Sequence, residues 1–231
     1  PILVLTASLS GYDVDITFQM LDAGALDVME KPRMDDVAAR DAARIALLRK
    51  VKLLARVKVV THLRGRRKHP TASNLQPIAG LSVAPETPAA YSAAQAPFPV
   101  VVIGASTGGP KVIRQILGGI RAEFPAALLI VQHIAAGFSA GLVEWLAAAA
   151  PLPVALADEG MRLAPGRALV APDRFDLVVR ADGVIHLSTQ PLLLQRPSVD
   201  IAMQSVAEQY EAATVGVLLT GMGRDGVAGM R

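Results

Sequence analysis

Three side chains that together can move an acyl group each follow an apolar run in this sequence. Ser106 lies in Gly104-Ala105-Ser106-Thr107-Gly108-Gly109, directly after Pro99–Ile103. A Gly-X-Ser-X-Gly turn between a strand and a helix places the serine hydroxyl on a tight bend, and small neighbours let a carbonyl approach. The helix dipole and free backbone N–H groups there can stabilise a developing oxyanion. His133 closes the apolar run Leu128–Gln132, and Asp225 lies in Thr220-Gly221-Met222-Gly223-Arg224-Asp225-Gly226 after Val215–Leu219. Taken singly, each has a plainer reading: a small-residue turn or phosphate loop, a structural histidine, a glycine-rich turn. Taken together they supply a nucleophile, a general base and an orienting carboxylate.

Those residues need a scaffold that gathers the ends of distant strands. An open parallel sheet does so, because its carboxyl ends converge on one crevice. The pattern from Phe98 onward predicts such an α/β domain, doubly wound about a mostly parallel sheet. Pro99–Ile103, Leu128–Gln132 and Val215–Leu219 read as strands buried on both faces. A helix follows the serine turn, with Val112, Ile113, Ile116, Leu117 and Ile120 on one face. Another starts near Ser139 with Phe138, Leu142, Trp145 and Leu146 inward, and a third near Ser198 with Val199, Met203, Val206 and Tyr210 on one stripe. Asp176–Arg180 and Val184–Leu187 read as a β-hairpin.

Upstream, Ile2–Thr6, a helix over about Val14–Ala23 stopped by Gly24, and Ala25–Glu30 read as a parallel βαβ unit. A long helix is expected over 35–63, carrying Val37, Ile45, Leu48, Leu54 and Val57 at helical spacing. Residues 64–97, rich in Pro, Ala and Ser, read as a flexible linker. The expected organisation is therefore 1–63, a linker 64–97, and a catalytic domain 98–231.

Composition narrows the chemistry. The chain has no cysteine, which excludes disulfides, thiolate metal sites and cysteine nucleophiles. His62, His69, His133 and His186 show no metal-ligand pairing, so no metal and no cofactor for hydrolysis is expected. The net charge of +3 is uneven: Ala42–Pro85 holds ten Lys or Arg and no acid, against thirteen basic and twenty acidic groups elsewhere. That stretch could meet nucleic acid or an anionic membrane. It reads instead as a solvated helix face running into a linker, since no aromatic residue interleaves it as a base-stacking surface requires. With no signal peptide and no long uncharged apolar run, a cytoplasmic protein without membrane insertion is expected.

Four motifs occur in order: Ile103-Gly104-Ala105-Ser106-Thr107-Gly108-Gly109-Pro110, Val131-Gln132-His133, Arg196-Pro197-Ser198-Val199-Asp200 and Leu219-Thr220-Gly221-Met222-Gly223-Arg224-Asp225-Gly226. Together they closely resemble the CheB family of chemotaxis response-regulator methylesterases, over essentially all of Phe98–Arg231. The resemblance implies that Ser106 is the nucleophile, His133 the base and Asp225 the carboxylate orienting it, with Thr107 and Met222 lining the site and helping hold the oxyanion. It implies hydrolysis of glutamate γ-methyl esters on the cytoplasmic helices of methyl-accepting chemoreceptors, and deamidation of receptor glutamines. Leu5-Thr6-Ala7 and Lys31-Pro32 resemble the last two strands of a flavodoxin-like receiver domain, phosphorylated by a chemotaxis histidine kinase. There Thr6 and Lys31 match the phosphoryl-contacting hydroxyl and lysine. The phospho-acceptor aspartate and the Mg²⁺-binding acids would precede Pro1, Val28 stands where receivers carry an aromatic, and Arg224 replaces a common asparagine.

In that family the receiver covers the catalytic face until phosphorylation loosens it. The chain reads as a fragment cut at both ends, so Asp225 is expected on a frayed end and the fragment is expected to show little activity. Two other readings stay open: a nucleotide-binding α/β domain cradling phosphate at Gly104–Gly109, which lacks the P-loop and Gly-X-Gly-X-X-Gly spacings, and a signalling adaptor without catalysis.

Overall fold

The computed structural model describes residues 1–6, 11–31, 37–57, 98–190, 196–221 and 223–231. The expected linker, and the part of the long helix beyond residue 57, lie outside them. Four elements precede that gap: β1 (Leu3–Thr6), α1 (Gly11–Asp22), β2 (Asp27–Glu30) and α2 (Val37–Leu54). Ten follow it: β3 (Val100–Ala105), α3 (Gly109–Gly119), β4 (Ala127–Gln132), α4 (Ser139–Ala147), β5 (Val154–Leu156), β6 (Ala168–Val170), β7 (Asp176–Arg180), β8 (Val184–Ser188), α5 (Val199–Tyr210) and β9 (Thr214–Leu218).

Five strands form one parallel sheet in the order β5-β6-β4-β3-β9. Their alternating side chains are apolar on both faces, as burial beneath two helical layers requires. Ile103, Ala105, Leu128 and Ile130 pack under α3 and α4 with Ile113, Leu117, Leu142 and Leu146. Val100, Val102, Leu129 and Val131 face α5 and the β7–β8 hairpin with Val199, Met203, Leu177 and Ile185. This is the doubly wound arrangement the sequence predicts. The order reverses beside β3, with β4 on one side and β9 on the other, so the crevice opens at the carboxyl ends of those three strands.

Two expectations change. Val215–Leu219 was predicted to be buried on both faces, yet Val215 and Leu218 are 48% and 40% exposed. The cause is position: among the described strands β9 pairs with β3 alone and forms the outer edge. The long helix expected over 35–63 ends at Leu54, with residues 55–57 in a turn; of its described apolar residues at helical spacing Leu54 is buried, whereas Ile45, Leu48 and, past the helix, Val57 face solvent. β5 and β6, three residues each, were not anticipated.

β1 and β2 pair in parallel and Gly24, at φ 117°, ends the turn after α1. Phe18 of α1 stacks on Trp145 of α4 with ring centroids 5.5 Å apart. Asp22 accepts the Trp145 Nε1–H at 3.0 Å and pairs with Arg114 at 2.6 Å, and that guanidinium lies 4.6 Å over the Trp145 ring. Phe18, Leu21, Ala25 and Val28 thereby join the apolar layer under α3 and α4. Among the described residues no helix is long and apolar enough to cross a membrane.

Candidate active site

β3, β4 and β9 are staggered so that Ser106, His133 and the loop bearing Asp225 emerge at one end of the sheet. The Ser106 N–H donates to Thr220 O and the His133 N–H to Ala105 O, each at 2.9 Å, extending the strand pairing into the turns. Ser106, His133 and Asp225 line one cavity of about 80 Å³, with Gly221 and Thr220 on the β9 side. The structure thus brings together three residues far apart in the chain.

Space at Ser106 is set by glycine. A Cβ on Gly221 would lie 2.8 Å from the Ser106 Cβ, and one on Gly109 would lie 2.6 Å from the Ala105 Cβ and 2.2 Å from Gln132 Oε1. Gly108, at φ 77°, turns the chain into α3. Ser106 N and Gly109 N are engaged in backbone bonds. The Thr107 and Gly108 N–H groups take no backbone acceptor among the described residues and sit at the positive end of α3.

His133 Nε2 lies 2.8 Å from Asp225 Oδ2, while its buried Nδ1 has no hydrogen-bond partner among the described residues. With the proton held on Nε2 by the carboxylate, Nδ1 carries the lone pair that can act as a base. Asp225 itself is not a frayed end. Its oxygens also accept from the Val199 N–H (2.7 Å), the Asp200 N–H (3.0 Å) and the Ser198 hydroxyl (2.8 Å). The loop is tied again where the Gly226 and Gly229 N–H groups each donate to Asp200 Oδ1 at 2.8 Å. Burial works against a charge on Asp225, but the His133 bond, the two backbone N–H groups and the Ser198 hydroxyl outweigh it. They hold its carboxyl well below the usual carboxylate range.

Three other contributors carried no assigned role in the sequence. Gln132 donates from Nε2 to both the Ser106 and the His133 carbonyls, at 2.8 Å each, tying the ends of β3 and β4 together. Ser198, whose hydroxyl accepts the Ile201 N–H at 3.3 Å, caps α5. Its place in a Ser-Val-Asp start to an apolar helix is a readable capping signal. Asp27 of β2 accepts the Thr107 hydroxyl at 2.8 Å and pairs with Lys50 of α2 at 2.9 Å. No local signal marks it. Thr107 therefore sits beside Ser106 with its side chain committed to the N-terminal elements, and Met222 lies outside the described residues. Thr6 and Lys31 meet at the carboxyl end of the β1–β2 pair, where the Lys31 N–H donates to Thr6 O at 2.7 Å.

The model of the family described as CheB methylesterase matches residues 101–231. This chain belongs to that family. The Geobacter metallireducens protein-glutamate methylesterase/protein-glutamine glutaminase 4 is 41% identical over 228 residues, covering 98% of this chain and 62% of the relative. An Anaeromyxobacter dehalogenans protein of the same description, numbered 2, is 43% identical over 234 residues, covering all of this chain and 61% of its own length. This member of the family thus spans about three-fifths of the curated relatives it matches. The solved Thermotoga maritima CheB methylesterase catalytic domain superposes with a TM-score of 0.55 at 37% identity, over 57% of this chain and 72% of that domain.

Proposed function

We propose that this chain carries the catalytic core of a protein-glutamate methylesterase and protein-glutamine glutaminase. It hydrolyses glutamate γ-methyl esters, and amides of glutamine, on the cytoplasmic helices of methyl-accepting chemoreceptors. The observation that carries the reading is the His133–Asp225 pair at 2.8 Å, set beside Ser106 in one cavity at the ends of β3, β4 and β9.

Ser106 Oγ attacks the ester carbonyl while His133 Nδ1 takes the hydroxyl proton. Asp225 stabilises the resulting imidazolium through Nε2. The carbonyl oxygen gains a negative charge toward the Thr107 and Gly108 N–H groups, where one well-placed donor is worth about 3 kcal/mol. Collapse breaks the C–O bond, and methanol leaves with the proton returned from Nδ1. Water, deprotonated by the same nitrogen, then releases the glutamate side chain and frees Ser106. With glutamine, ammonia is the leaving group. Every step uses the chain's own groups, and the reading invokes no cofactor.

The N-terminal elements serve in this proposal as part of a receiver-type control unit answering to a histidine kinase. The support is that β2 and α2 reach the residue next to the nucleophile through Asp27 and Lys50. Thr6 and Lys31 offer a hydroxyl and an ammonium suited to a phosphoryl group. The described residues there supply no cluster of carboxylates for Mg²⁺, and no step here runs through that ion.

Methanol release from methyl-esterified chemoreceptor membranes tests the reading. Because Asp225 is held by four donors and is not frayed, the parent chain is now expected to release methanol, and Ser106→Ala to release none. Equal release by both would refute a serine esterase. A parent inactive even when extended to the full length of its relatives would favour an adaptor.

A further inference from the structure

Asp225 is gripped on both of its oxygens. His133 Nε2 (2.8 Å) and the Val199 N–H (2.7 Å) donate to Oδ2, and the Ser198 hydroxyl (2.8 Å) and the Asp200 N–H (3.0 Å) to Oδ1. Four donors fill the lone-pair directions of a carboxylate. Three of them come from the start of α5, where the helix dipole also favours an anion. Ser198 supplies the one side chain among those three.

Ser198 is itself rigidly held. It is 3% exposed, and its N–H donates at 2.8 Å to Asp176 Oδ1. Asp176 is fully buried and accepts from Arg196 Nε at 2.9 Å. The Ser198 oxygen accepts the Ile201 N–H at 3.3 Å, so its single hydrogen is directed at Asp225.

We propose that Ser198 is a positioning residue for the esterase reaction, locking the rotation of the Asp225 carboxylate so that Oδ2 stays on His133 Nε2. The catalytic consequence rests on the serine esterase function proposed above. Rotation about the Asp225 Cβ–Cγ bond is soft. The Ser198 hydroxyl pins the oxygen remote from His133, which fixes the near one. The imidazole proton is thereby kept on Nε2 and the lone pair on Nδ1, the atom that must receive the Ser106 proton. Without the hydroxyl, the Asp200 N–H alone holds Oδ1, the carboxylate is freer to rotate away from Nε2, and part of the neutral ring population carries its proton on Nδ1, where it cannot act as a base.

Ser198→Ala, Ser198→Gly and Ser198→Thr separate this role from helix capping. Glycine caps a helix nearly as well as serine but has no hydroxyl, and threonine keeps both functions. Four quantities are measured on each: kcat and KM for ester hydrolysis, the rate of Ser106 labelling by a fluorophosphonate, the ¹⁵N shifts of the neutral His133 ring, and Tm. Alanine and glycine are expected to lower kcat by about ten- to a hundredfold, the worth of one hydrogen bond to a charged group. KM should hold, the ring should shift from the Nε2–H toward the Nδ1–H tautomer, and threonine should restore both kcat and tautomer. An unchanged tautomer in the alanine and glycine variants overturns the proposal, whether their kcat holds or falls along with Tm. A parent that takes no label at Ser106, even when extended to the full length of its relatives, overturns the esterase reading and the catalytic consequence with it. The ring shifts, which need no substrate, still decide whether Ser198 governs the Asp225–His133 pair.

Discussion

Replacing Asp225 by asparagine tests the site most sharply, because every donor around it is accounted for. The carboxylate accepts four hydrogen bonds at 2.7–3.0 Å. An asparagine side chain offers one oxygen and one N–H₂. If the amide nitrogen takes the place of Oδ2 it meets His133 and the Val199 N–H. If it takes the place of Oδ1 it meets Ser198 and the Asp200 N–H. Either way one buried backbone N–H loses its acceptor, which costs about 1–3 kcal/mol, and the remaining bonds lose their charge assistance. A total of roughly 2–4 kcal/mol at neutral pH is expected.

Catalysis should suffer more. In the first of these orientations the amide N–H₂ faces His133, Nε2 becomes an acceptor and the ring proton moves to Nδ1. A wrong tautomer of this kind costs about 10⁴ in kcat in the well-studied serine proteases. The pH dependence has a definite sign. The folded-state pKa of Asp225 is depressed, so its stabilisation is complete above the ordinary aspartate value and is lost only as pH falls through the depressed one. The part of the stability difference between parent and Asp225→Asn that comes from this depressed value should therefore shrink only in strong acid. Urea unfolding at three pH values, alongside methanol release, measures both effects. A kcat within tenfold of the parent where ¹⁵N shifts place the His133 ring proton on Nδ1, or a stability difference that does not shrink in strong acid, would refute the reasoning.

Other perturbations probe the surroundings. Gly221→Ala places a methyl 2.8 Å from the Ser106 Cβ; a loss of about 1–3 kcal/mol and more than tenfold slower fluorophosphonate labelling are expected, read by thermal melts and labelling kinetics. Gln132→Leu removes the donor shared by the Ser106 and His133 carbonyls, and should cost about 1–3 kcal/mol in urea unfolding, with nothing lost at Oε1, which has no partner among the described residues. Asp27→Ala frees the Thr107 hydroxyl and leaves Lys50 without its carboxylate. If the N-terminal elements restrain the site, Ser106 labelling should quicken by about two- to fivefold, the worth of one partly exposed hydrogen bond, and an unchanged rate would count against that restraint.

The central elements were legible because burial leaves a periodic trace. β3 and β4 are continuous apolar runs, and α3, α4 and α5 repeat their apolar residues at helical spacing, so each inward residue predicted for α4 and α5 is buried. The hairpin of β7 and β8 showed as two apolar runs joined by Ala181-Asp182-Gly183. β5 and β6 were invisible because three residues cannot establish a period. The burial of β9 was misjudged because an apolar run records what a strand can bury, not what lies against it.

From the sequence alone came the residue types of the site and their attachment to strand ends: a serine on a glycine turn, a histidine and an aspartate each following an apolar run. These are local features, set by backbone freedom and side-chain chemistry within a few residues. Tertiary structure decided which groups meet. Asp225 reaches His133 across 92 positions and Thr107 reaches Asp27 across 80. Only the sheet order and the packing of α5 against it bring these pairs within hydrogen-bonding distance. The choice of Nε2 for the carboxylate and Nδ1 for the base belongs to the same level. The tautomer follows from where Asp225 and the start of α5 sit in space, and no pattern along the chain encodes that position.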